Sequence, residues 1–108
     1  MALGFNTIIL DTQEMSDSFT SSPIYLGQQT KYCVHAVFSD ASSPVGTLSI
    51  EVSIDGQTWA PLSGSSYSIS SAGDKMYDVG YATYRQARIK YVRGSGSGTM
   101  TLYASVKD

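Results

Sequence analysis

Residues 47–54 read TLSIEVSI and alternate without a fault: Leu48, Ile50, Val52 and Ile54 face one way, Thr47, Ser49, Glu51 and Ser53 the other. Period two with one wet face is the pattern of an antiparallel strand covered on one side only. The C-terminal run repeats it, with Met100, Leu102, Ala104 and Val106 inward and Thr99, Thr101, Tyr103 and Ser105 outward. Between Arg85 and Arg93 the inward set is Ala87, Ile89 and Tyr91, while Gln86, Arg88 and Lys90 point out. Tyr32 to Phe38 is apolar on both faces, as expected of a central strand.

Shorter strands are expected at Phe5–Leu10, Met15–Phe19, Ile24–Leu26, Tyr67–Ile69 and Met76–Tyr81. Turn signals separate them: Ser22-Pro23, Gly27, Ser43-Pro44-Val45-Gly46, Ser63-Gly64, Ala72-Gly73-Asp74 and the glycine-rich run Gly94–Gly98, read as a flexible hairpin loop. No stretch carries the three-to-four spacing of an amphipathic helix. Ser, Thr and Gly supply 18, 9 and 10 of 108 residues, and 8 of the 12 aromatics are tyrosine, a mixture that favours strands and turns. The expected fold is therefore all-β: an antiparallel two-sheet β-sandwich, jelly-roll-like or immunoglobulin-like, in a single domain. Residues 1–22 read as an N-terminal arm with the first strands, and 23–108 as the sandwich body.

Residues 53–59, SIDGQTW, test that reading. If Asp55-Gly56 is a two-residue type I′ turn, Ile54 pairs with Gln57 and Val52 with Trp59, which puts the only tryptophan on the apolar face. A three-residue loop shifts the parity by one and puts Trp59 on the wet face. The hydrophobic pattern favours the first register. The stretch resembles a shortened Asp-box, Ser-x-Asp-x-Gly-x-Thr-Trp without the residue between Asp and Gly, and that box is a structural hairpin. A calcium loop needs several more oxygens than Asp55 provides. The heptad is expected to turn a corner.

The remaining constellations carry little chemistry. Cys33 and His35 share one face of a strand, where a thiolate–imidazole pair is conceivable, but both read as packing groups of a central strand. One His and one Cys do not make a zinc site. The Gly94–Gly98 run is followed by a strand, Thr99 to Leu102, where a phosphate loop would be followed by a helix. No catalytic, metal-binding or cofactor-binding residue is assigned, and no enzymatic activity is expected. Arg85, Arg88, Lys90 and Arg93 lie within nine positions alongside Tyr84 and Tyr91; on a chain of net charge −2, a solvated face or a charged protein contact is favoured over nucleic acid or an anionic sugar. The N-terminal MALGFNTIIL lacks the basic flank and long apolar run of a secretion signal, and no segment approaches a membrane span. With Cys33 as the sole cysteine, synthesis in a cytoplasm is expected.

The order of four motifs resembles small β-sandwich virion proteins of tailed and other bacterial viruses. These are Ser-Pro-Ile-x-Leu near residue 23, Gly-Thr-Leu-Ser-Ile-Glu-Val-Ser-x-Asp-Gly-x-x-Trp at 46–59, Tyr-Arg-x-x-Arg-Ile-x-Tyr at 84–91 and Gly-Ser-Gly-Thr-x-Thr-Leu at 96–102. The resemblance implies a non-enzymatic structural virion protein, a capsid decoration (cement) protein that binds the shell or other copies of itself. A tail or neck component is the alternative within that class. The rival from another class is a carbohydrate-binding module stacking sugars on Tyr25, Tyr67, Tyr81 or Tyr103. Expected partners are the major capsid protein or other virion proteins, in a homo-oligomer. The expected interface residues are Phe5, Ile8, Ile9 and Leu10, because Ile8-Ile9-Leu10 places large apolar groups on both faces of a strand, together with outward Arg88 and Lys90.

Overall fold

The computed structural model describes residues 5–107; for residues 5–10, 40, 41 and 107 it describes the backbone alone. Eight strands run in the order β1 (Phe5–Glu14), β2 (Phe19–Thr20), β3 (Ile24–Tyr25), β4 (Lys31–Ser53), β5 (Ala60–Pro61), β6 (Tyr67–Ile69), β7 (Gly73–Val79) and β8 (Gln86–Lys107). The described residues include no helix.

Two very long strands organise everything else. β4 and β8 pair antiparallel from Lys31↔Lys107 to Ser53↔Gln86. The first half of β4 also pairs with β7 (Tyr32↔Val79 to Phe38↔Gly73), and the second half with β6 and β5. β1 runs along the second half of β8, from Phe5↔Lys107 to Glu14↔Thr99, with a bulge between Ile9 and Asp11. β2 and β3 run along the first half of β8. The chain is thus all-β and a single compact domain. The expected pair of separate sheets takes another form: one hydrogen-bonded sheet of eight strands, curled into a half-barrel.

The curl is made where turns were expected. Ser43–Gly46 and Gly94–Gly98 are not hairpin loops; both are the middles of long strands, and they face one another through Ser42↔Ser97 and Val45↔Ser95. Register shifts between Ser39 and Gly46 bend the pair, as bulges do. Ser43 and Gly96 both take positive φ, 50° and 76°. A Cβ on Gly96 would collide with the carbonyl oxygens of Ser43 and Ser42. β8 also changes parity across this corner: Ala87, Ile89 and Tyr91 are buried before it, Met100, Leu102 and Ala104 after it, while the buried apolar residues of β4 are even-numbered on both sides, Tyr32 to Phe38 and then Leu48 and Ile50. Both halves therefore present their apolar faces to the inside of the curl.

Those faces form the core, joined by Ile24 and Leu26 around β3, Ile69, Tyr77 and Met15. The expected inward sets are borne out for Leu48 and Ile50, for Ala87, Ile89 and Tyr91, and for Met100, Leu102 and Ala104. Ile54 is the exception, at 77% exposed. Met15 is buried but sits before β2 in a turn, its amide donating to Gly98 O at 2.7 Å. Buried polar groups are paired across elements. Ser21 Oγ accepts from the Ile89 amide at 2.9 Å, and Tyr77 donates its hydroxyl proton to Ser65 O at 2.7 Å. Burial pushes the Tyr77 phenol up to about 12.

Candidate functional site

Folding β4 and β8 over at the corner brings both ends of β4 to the same end of the molecule. The segment before β8 ties them together. Arg85 N donates to Ser53 O at 3.1 Å, Leu26 N to Arg85 O at 2.9 Å, and Ala82 N to Thr30 O at 2.7 Å. The hydroxyls of Tyr32, at the start of β4, and Tyr84 meet at 2.7 Å. Burial, with the Tyr84 hydroxyl beside it, pushes the Tyr32 phenol far above its ordinary range. This end is the mouth of the half-barrel.

The 53–59 heptad forms one lip of the mouth. It does turn a corner, but not as a two-residue turn. Val52 pairs with Ala60 and Glu51 with Pro61, so the last pair encloses seven residues, 53–59, and the register is shifted by one; residues 54–59 form the loop between β4 and β5. The reason is the Asp55 carboxylate. Its Oδ1 accepts from the amides of Thr58 (2.8 Å) and Gln57 (2.9 Å) and from the Ser53 hydroxyl (3.1 Å). Ser53 Oγ in turn accepts from the Gly56 amide at 2.8 Å. These bonds supply the loop with its own backbone partners, in competition with the strand ladder. Gly56 takes the positive φ, +80°, that the turn requires. The Thr58 and Gln57 amides hold the Asp55 carboxyl down at about 2, so it is ionised at any working pH.

The shifted register carries Trp59 to the outer face, which corrects the expectation that it packs beside Val52. There it is half-buried with the Arg88 guanidinium 4.1 Å from its ring centroid. Arg88 Nε donates to Glu51 Oε1 at 2.9 Å, with Nη2 2.8 Å from the same oxygen, and Lys90 Nζ lies 3.8 Å from Glu51 Oε2. Of the two basic residues expected at an interface, Arg88 is thus engaged within the chain, while Lys90 keeps a 45% exposed side chain. Arg93 donates to Gly96 O at 3.0 Å and Arg85 is exposed. The four basic residues do not form one patch of free cations. Glu51, which organises two of them, was not singled out in the sequence, although Glu51 and Arg88 are directly opposite in the β4–β8 register.

The other expected groups are dispersed. Cys33 and His35 lie on the outer face of the first half of β4, both half-buried, and His35 Nε2 hydrogen-bonds Asp74 Oδ2 on β7 at 2.7 Å. Of the candidate sugar platforms, Tyr25 and Tyr81 are 70% and 73% exposed, Tyr103 is 39% exposed, and Tyr67 is half-buried under the Lys75 ammonium. The side chains of Phe5, Ile8, Ile9 and Leu10 lie outside what the structure describes; their backbone belongs to β1. Among the described residues, no group of three or more His, Cys, Asp or Glu side chains is placed to hold a metal ion, and no helix is long and apolar enough to cross a membrane.

Between the 54–59 loop and residues 83–84 the mouth opens into a cleft of about 530 Å³. Its lining combines Val52, Ile54, Ala60 and Tyr84 with the oxygen-bearing residues Ser53, Asp55, Thr58 and Thr83.

No protein-family model matches the chain, and no curated protein matches it by sequence. Its fold is shared with two phage-derived proteins. The crystal structure of PBSX exported protein XepA matches with a TM-score of 0.70 at 22% identity, over 94% of this chain and 37% of the XepA chain. That of SPBc2 prophage-derived protein YomS matches with a TM-score of 0.70 at 11% identity, over 96% of this chain and 93% of the YomS chain. The chain therefore spans little more than a third of XepA but corresponds to nearly the whole of YomS. At these identities the likeness is one of fold.

Proposed function

We propose that this chain is a non-enzymatic structural protein of a bacteriophage particle, a capsid decoration protein that binds the shell or other copies of itself. The observation that carries this reading is the end-to-end match with prophage-derived YomS, a chain of similar extent. The edges of the sheet support assembly. β2, β3, β5 and β6 are two or three residues long and include Pro61, and β7 carries Asp74, Lys75 and Asp78. Short, charged or proline-bearing edges resist pairing with another chain. β1 is different: ten residues at one end of the sheet path, with no charged residue from Phe5 to Leu10. It is the edge on which a neighbouring strand would be added, and the segment in which an interface was expected.

The test is deletion of residues 1–10, followed by sedimentation and thermal melting. Weakened assembly with a retained cooperative melt is the expected result. Normal assembly, or a chain that fails to fold, refutes the interface. Immunogold electron microscopy of particles from the native source tests the location. Label over the shell is expected; label confined to the tail or neck replaces decoration with that role, and particles without label remove the virion reading.

A further inference from the structure

The cleft at the mouth of the half-barrel has the composition of a ligand site independent of any role in assembly. Its volume lies within the range of roughly 300–1,000 Å³ that small-molecule sites occupy, and barrel mouths are a common place for them. Three properties define what it would take.

The first is a fixed acceptor. The Oδ1 atom of Asp55 is committed to three donors within its own loop, which orients the carboxylate, whereas among the described residues Oδ2 receives only the Thr58 hydroxyl at a long 3.3 Å. Asp55 lines the cleft, so an oriented, ionised oxygen with spare lone pairs is available there without rearrangement. The second is a fixed ring. Tyr84 is held by the 2.7 Å hydrogen bond to Tyr32, so its ring wall is set before a ligand arrives. The third is the remaining chemistry: the hydroxyls of Thr58 and Thr83, the apolar Val52, Ile54 and Ala60, and no cation in the lining. A carboxylate without a neighbouring cation rejects phosphate and other anions. The same acceptor and hydroxyls are poorly matched to a wholly apolar ligand, since desolvating them unpaired is costly.

What remains is a neutral molecule with several O–H donors and an apolar C–H face. From this juxtaposition we propose that the Asp55–Thr83–Tyr84 cleft binds a neutral saccharide, with a pyranose face against the Tyr84 ring and ring hydroxyls donating to Asp55 Oδ2. Polarised C–H groups meet the negative face of an aromatic ring. The exposed Tyr25 and Tyr81 stand at the same end of the molecule. Tyr25 pairs with Gln86, which pairs with Ser53, and Tyr81 lies three residues before Tyr84. Both are placed to meet further units of a longer chain.

The experiment is amide-resolved NMR titration of the full chain with maltohexaose, cellohexaose, chitohexaose and mannohexaose, each to about 10 mM, a range that captures millimolar binding. At least one is expected to shift Ile54, Thr58 and Thr83 together. Thr83→Arg projects a large side chain from an exposed loop residue with no part in the turn, and is expected to abolish those shifts. Asp55→Asn keeps an acceptor for the loop amides but exchanges charge for an amide, and is expected to weaken binding about tenfold or more. The site is refuted if none of the four sugars moves the cleft residues, if shifts fall only around Tyr67 or Tyr103, or if Thr83→Arg binds as the parent chain does. Sedimentation of Thr83→Arg should match the parent, because no residue of β1 lines the cleft.

Discussion

Gly96→Ala should damage the protein far more than its chemical modesty suggests, because the corner between the two halves of the sheet rests on that residue. Two costs add. At φ +76° an alanine occupies left-handed backbone, which costs roughly 1–2 kcal/mol. Its Cβ would also overlap the Ser43 carbonyl oxygen, with the Ser42 carbonyl at 2.7 Å. Both obstacles are backbone atoms, Ser42 paired in the β4–β8 ladder and Ser43 in the register shift beside it, so relief requires moving the corner, an overpacking cost of about 1–3 kcal/mol. The sum, about 2–5 kcal/mol, is a large part of the stability of a domain this size. Gly64→Ala is the control. Its φ is +80° but nothing lies within 4 Å of the added Cβ, so it carries the first cost alone, partly offset by a less flexible unfolded chain, and should lose no more than about 1–2 kcal/mol. Urea unfolding with a shared m-value separates the two, and the melting temperature should fall by roughly 4 °C for each kcal/mol. If Gly96→Ala loses no more stability than Gly64→Ala, the corner is not what holds the curl.

Tyr77→Phe strands the buried Ser65 carbonyl and should cost about 1–3 kcal/mol by the same unfolding assay. The parent's Tyr77 should stay protonated at pH 11 in a spectrophotometric titration; because its folded value of about 12 exceeds the unfolded 10.0, the stability it contributes is complete below pH 10 and drains away as pH rises toward 12. Asp55 has the opposite sign: NMR titration of its carboxyl should give a midpoint near 2, with its contribution to stability present above pH 3.8 and lost as pH falls through 2. Arg88→Ala uncovers the Trp59 ring and leaves Glu51 with only a distant Lys90, so acrylamide should quench the single tryptophan more strongly; Arg88→Lys should restore little, lacking the planar fork that both contacts Glu51 and lies over the ring.

Most of the fold was legible because period two survives bending. Leu48 and Ile50, Ala87 and Ile89, Met100 and Leu102 alternate on either side of the corner and are buried where the pattern put them. Connectivity was not legible, for a physical reason. Ser-Pro-Val-Gly and Gly-Ser-Gly-Ser-Gly are equally good as a chain reversal and as a bulged bend, since both uses need positive φ and small side chains. What decides between them is whether two such stretches meet. Here Ser42 and Ser97 are partners, and each stretch relieves the other's crowding: Gly96 leaves room for the Ser43 carbonyl, and Gly46 for the Tyr91 ring. Two turns read separately are one corner read together.

The site was less legible than the fold because its parts depend on that corner. The parity of Trp59 rests on loop length, and loop length is set by the side-chain acceptors of Ser53 and Asp55, which reward seven residues inside the last pair where backbone twist alone rewards two. Once Trp59 is on the outer face, Arg88 is drawn under it and paired with Glu51, so a cluster that reads in sequence as free positive charge becomes a closed local network. The cleft was hidden more deeply. Val52 to Ala60 and Thr83–Tyr84 are separated by more than twenty residues of chain and meet only because the sheet folds over and the Arg85 amide reaches Ser53 O. A mutation at the corner should therefore be felt at the mouth. A destabilised Gly96→Ala chain, held folded at low temperature, should show amide shifts at Thr83 and Ile54 as well as around Ser43, whereas Gly64→Ala should disturb only its own turn. Shifts confined to the corner would mean that loop 54–59 and Tyr84 hold the mouth together without it.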